Sequence, residues 1–159
     1  MPLVSGGGSS KAGAVLSGET ASGLFPSARA PEAALAGLWL YFSGFEDCHR
    51  IVQELATPEG SFWHAIVHRQ EPDAANSAYW FRALGPHPVF PELRRQASEI
   101  ARLHPDSHFD PDEDWYPLRF IEFCEMARQQ PGSAAEQMAL EIQRAEWQLL
   151  FDYCARAGS

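Results

Sequence analysis

His64 and His68 stand four residues apart in "FWHAIVHRQE", and Glu71 follows three positions later. On a helix turning about 100° per residue these three side chains fall in a strip about 60° wide. Beside it runs a broad apolar arc of Phe62, Trp63, Ile66 and Val67. Two imidazoles at this spacing can reach one divalent transition metal ion, and the carboxylate can complete the ligand set. The same strip could do acid–base work, because a histidine titrates near neutrality. The H-x-x-x-H spacing alone is weakly specific. It lacks the glutamate after the first histidine that marks the zinc-protease motif. Boundary histidines hydrogen-bonded to their neighbours are the competing reading.

His49 lies beside the stripe of Phe45 and Val52, so it leans toward the core and could meet His64 if the two helices pack antiparallel. The metal candidates are therefore His49, His64, His68 and Glu71. Arg69, Asn76, Trp80 and Arg82 join His49, His64, His68 and Glu71 as candidates to line a small-ligand pocket. In that pocket the arginines would clamp a carboxylate or phosphate, and the aromatics near them would floor it. The bland alternative pairs Arg69 and Arg82 with Glu71 and Asp73, and packs Trp63 against Tyr79 or Trp80 between neighbouring helices. His87, between Pro86 and Pro88, sits on a stiff loop.

Asp110, Asp112 and Asp114 occupy alternate positions, as in a calcium loop. Trp115 replaces the required glycine, and Ile121 stands where the bidentate glutamate belongs, which favours a solvated loop. The chain has no phosphate-cradling glycine loop and no G-x-S-x-G elbow. Cys48, Cys124 and Cys154 are odd in number and widely spaced, with no C-x-x-C, which argues against a disulfide framework or structural zinc.

Proline and capping signals set out the elements that must hold these residues. Pro31 opens "PEAALAGLWLYF", apolar almost all round and so deeply buried. Ser43 and Glu46 have capping-box spacing ahead of the Phe45, Cys48, Val52, Leu55 stripe. Thr57-Pro58 starts the helix carrying the histidines, which ends before Pro72. A fourth helix runs from about Pro72 to Leu84 and stops at Gly85, and Pro91 opens a fifth. A sixth starts near Tyr116 or Pro117 and reaches about Gln129. Ser133 and Glu136 form a second capping box, and the last helix reaches about Cys154. No segment alternates with period two. The expected fold is all-α: a compact single-domain bundle of about seven helices with short Pro-rich connections, spanning 31–159. Residues 1–30, rich in Gly, Ser and Ala, read as a flexible tail.

A chain of 159 residues that is 45% hydrophobic can close one core. A net charge of -9 disfavours nucleic acid and anionic membrane surfaces as partners. No apolar run approaches a membrane span, and the start does not read as a secretory signal. The expected setting is the cytoplasm.

The stretch "FEDCHRIVQELATPEGSFWHAIVHRQEPDAANSAYWFRALGPHPVFPEL" resembles a family of uncharacterised bacterial and fungal proteins. Their shared pattern is close to T-P-E-G-x-x-W-H-A-I-x-H-R-x-E-P-D-x-x-N-x-x-Y-W-F-R-x-x-G-x-H-P-V-F. The resemblance covers about a third of the chain and carries no established activity, so it supplies no catalytic residues. It implies that His49, His64, His68, Arg69, Glu71, Asp73, Asn76, Tyr79, Trp80, Arg82 and His87 match the pattern. Gln70 and Ala83 stand where the pattern more often has arginine, which weighs against a strongly cationic pocket. Function is left between three readings. One is a small-ligand or metal pocket on His49, His64 and His68. Another is a small hydrolase or lyase using His64 or His68. The third is an interaction or structural module without catalysis.

Overall fold

The computed structural model describes residues 10–158, which are all-helical with no named strand among them. Two short helices, α1 (Ser10–Leu16) and α2 (Ala21–Leu24), precede seven longer ones. These are α3 (Pro31–Tyr41), α4 (Phe45–Val52), α5 (Pro58–Gln70), α6 (Ala74–Leu84), α7 (Phe90–Leu103), α8 (Pro117–Arg128) and α9 (Ala134–Ala155). The proline and capping signals explain most boundaries. Thr57 Oγ1 accepts from Gly60 N at 3.1 Å, with Pro58 in the first turn of α5. Ser133 Oγ accepts from Glu136 N at 3.1 Å at the start of α9. Asp73 caps α6 through Asn76 N, and Gly85, at φ 66, ends it.

One boundary differs from the sequence reading. Ser43 and Glu46 form no capping box, and α4 begins behind Gly44 with no side-chain cap. The turn belongs to the C-terminus of α3 instead. Ser43 takes the left-handed conformation (φ 62), its N–H donates to Leu40 O at 3.1 Å, and Gly44 N donates to Trp39 O at 2.7 Å. This is the hydrogen-bond pattern of a Schellman motif, with serine in the place usually held by glycine.

The Gly/Ser/Ala-rich segment also departs from expectation. Residues 1–9 lie outside those described. From Ser10 onward, however, the segment expected as a flexible tail contains α1 and α2 and takes part in packing. Leu16 is buried, Phe25 meets Phe151 edge-on at 5.9 Å, and Arg29 N and Ala30 N donate to Arg156 O and Cys154 O. Pro31 is therefore where the long helices begin and not where packing begins. Scattered large apolar residues suffice to dock a stretch whose average composition is loop-like.

The core is built around α3, α5 and α9. α5 buries Phe62, Trp63, Ile66 and Val67 together, and α3 approaches it closely at Gly37. A β-carbon at Gly37 would come within 2.7 Å of the Trp63 ring, so only glycine allows that contact. On the other side of Gly37 its carbonyl accepts from Trp147 Nε1 of α9 at 2.8 Å. α6 packs against α5, and α4 against both α3 and α5, which places His49 opposite the histidine strip. The three cysteines are free and buried in this packing. No helix of the described residues is long and apolar enough to cross a membrane.

Candidate metal centre

The histidine strip of α5 faces α4. Phe45, Cys48 and Val52 fix α4 by burial, and His49 follows Cys48 around the helix to the edge of that buried face. On α5 the apolar arc points into the core, which turns His64 and His68 toward His49. One ring nitrogen from each of His49, His64 and His68 lies within 4.8 Å of the other two. His49 Nε2 and His64 Nε2 are 2.8 Å apart. The centroid separations are 4.7 Å for His49–His64, 5.2 Å for His49–His68 and 4.9 Å for His64–His68. Trp80 of α6 stacks on the far face of the cluster, 4.0 Å from His64 with planes 18° apart, and so fixes the orientation of that ring.

The electrostatics favour neutral imidazoles, the form that ligates a metal. Burial, reinforced by the neighbouring His68 and His49 rings, pushes His64 down to about 4. Burial also lowers His68, opposed by the Glu71 carboxylate beside it. Glu71 Oε2 is 3.3 Å from His68 Nδ1, within ion-pair reach but off the line of a hydrogen bond. A carboxylate beside Nδ1 favours the tautomer whose lone pair sits on Nε2. His64 Nδ1 has no acceptor among the described residues. His64 is buried at 4% exposed, His49 and His68 are half-buried, and the Glu71 side chain beside them is 36% exposed.

The remaining sequence candidates divide. Trp80 belongs to the cluster. Glu71 stands behind His68 and is not one of the three converging side chains. Arg69 does not face the histidines and pairs with neither Glu71 nor Asp73. It is fully buried, ion-paired with Glu146 of α9, 3.4 Å from Gln143 Oε1, with its guanidinium 4.6 Å from the Phe120 ring. The reason is helical phase. Arg69 is one step past His68, which turns it about 100° toward α9 and α8. Asn76 is spent on the α6 start, donating from Nδ2 to Asp73 Oδ2 at 2.6 Å. Arg82 lies outside the cluster and lines a separate cleft with His87. His87 packs against Phe62 at 5.1 Å and Tyr153 at 5.0 Å. Asp112 of the acidic loop pairs with Arg119. Comparison with protein-family models, curated proteins and solved structures finds no match.

Proposed function

We propose that this protein holds a divalent transition metal, zinc first among them, between α4 and α5 on His49, His64 and His68, and that the centre serves a small-molecule hydrolase or lyase reaction. The observation that carries the reading is the convergence of three imidazole nitrogens from two helices within 4.8 Å. Ligands about 2 Å from a tetrahedral ion lie about 3.3 Å from one another, so side-chain adjustments of an ångström or so would close the set. Three protein ligands leave a coordination position for water, the arrangement of catalytic zinc sites, where the metal brings bound water toward neutral pKa. Glu71 would hold His68 in register from behind. A substrate would have to reach the ion from the side of the half-buried His49 and His68.

A second reading has its own observation: Nε2 to Nε2 at 2.8 Å is itself a hydrogen bond between opposite tautomers and needs no ion. Elemental analysis of purified protein, paired with cobalt(II) titration read by visible absorption, separates the two. The metal reading expects about one equivalent bound, with His49→Ala, His64→Ala and His68→Ala each lowering occupancy at least about tenfold. Wild-type protein that takes up neither zinc nor cobalt leaves the histidines as packing residues.

A further inference from the structure

A second recess lies apart from the histidine cluster, between the end of α6, the start of α7 and the segment entering α8. It is a cleft of about 660 Å³, in the range that holds small organic ligands. Phe62 closes the wall behind it, packing on Phe81 at 5.5 Å and Phe90 at 5.4 Å. His64, two positions further along α5, is turned about 200° away, so the cleft and the histidine cluster occupy different sides of that helix.

The lining has two characters. Phe81, Phe90 and Trp115 make an apolar body, and Arg82 and Arg94 supply two cations. Neither arginine side chain has an ion pair or hydrogen bond with the described residues. Two buried ring N–H groups on the lining also lack an acceptor among the described residues. Trp115 is 7% exposed, and its Nε1 is unpartnered. His87 is 5% exposed, and its Nδ1 accepts from Val89 N at 3.2 Å. In a neutral ring that leaves the proton on Nε2, which likewise meets no acceptor. Burial lowers the His87 pKa, which keeps the ring neutral. Buried donors without acceptors are unusual in folded proteins. The starts of α7 and α8 border the cleft too, and neither has a side-chain cap, so each adds partial positive charge. Against these stand Glu113 and Asp114, both exposed at the edge, on a chain of net charge -9. They work against a multiply charged anion more than against a single carboxylate.

We propose that this cleft binds a small monocarboxylic acid with an aromatic or bulky apolar body, its carboxylate met by Arg82 and Arg94 and its body held by Phe81, Phe90 and Trp115. The inference stands on residues distinct from the histidine cluster, and a failure of either leaves the other intact. The test is calorimetric titration of the full chain with 2-naphthoate, repeated with 2-naphthalenemethanol and 2-naphthyl phosphate. Nitrogen–proton NMR follows the Trp115 indole signal, assigned with Trp115→Phe. Saturable binding of 2-naphthoate that shifts that signal is expected, with the alcohol and the phosphate ester each about tenfold weaker. Arg82→Met/Arg94→Met, at exposed and half-buried positions, should keep the melting temperature and weaken 2-naphthoate about tenfold or more. Absence of saturable binding, equal affinity for the alcohol, tighter binding of the phosphate ester, an unmoved Trp115 signal, or full affinity in the double variant would each overturn the proposal.

Discussion

At the scale of single residues, His64 is held neutral. Its pKa lies near 4 in the folded protein, against 6.5 ordinarily. The unfolded chain therefore takes up a proton first as pH falls. Stability from this group is complete above about 6.5 and is lost progressively toward 4. His68 and His87, both lowered by burial, add with the same sign. Chelator-treated protein should thus show a lower urea midpoint at pH 5 than at pH 7.5, and His64→Gln should narrow the gap. Equal midpoints at the two pH values would show that burial does not hold the ring neutral. Adding zinc at about one hundred times its dissociation constant should contribute about 2.7 kcal/mol at pH 7.5. For a chain of this size that is a rise of about 5–10 °C in melting temperature. His64→Ala protein should show little of it.

At the scale of elements, the turn from α3 to α4 holds a serine where the backbone suits glycine. A left-handed conformation costs an L-residue about 1–2 kcal/mol, and the added freedom of glycine in the unfolded chain takes back about 0.4–1 kcal/mol. Ser43→Gly should therefore stabilise by up to about 1.5 kcal/mol, read as a higher midpoint in urea. Thr57→Ala should cost about 1 kcal/mol, because Gly60 N loses its acceptor at the start of the helix that carries His64 and His68. These two positions also show what the sequence can and cannot reveal. Thr57-Pro58 reads directly as a helix start, since its signal is local. Ser43-x-x-Glu46 carries an equally good local signal, and the end of α3 overrides it by claiming the same backbone donors. The pairing of His64 with His68 is likewise local and legible from their spacing. The arrival of His49 depends on α4 packing against α5, which the apolar stripe of α4 implies without fixing a distance.

At the scale of the whole molecule, the contact least visible in the sequence is the buried Arg69–Glu146 pair, whose members are 77 positions apart. Nothing in the spacing around Arg69 names a partner on α9, and the nearby acids Glu71 and Asp73 are taken up by His68 and by the α6 cap. Arg94 and Trp115 of the aromatic cleft escape sequence reasoning for the same reason, since separate elements bring them together. Removing one member of a buried pair leaves the other charged without a partner, so Arg69→Met should cost about 3–5 kcal/mol. Arg69→Met/Glu146→Leu should recover most of that loss. A double variant no more stable than the single one would show that packing around Phe120, and not charge balance, sets the cost.

The three buried cysteines have a practical consequence. Burial drives the Cys124 and Cys154 thiols up to about 12 and raises Cys48 as well, so the reactive thiolate is scarce in the native state. Cys48, Cys124 and Cys154 sit on α4, α8 and α9, well separated along the chain. A chromogenic disulfide reagent added to native protein should therefore stay colourless until a helix swings away. The order in which the three sulfurs become labelled, read by mass spectrometry of the peptides, gives a stopwatch for which part of the bundle comes loose first.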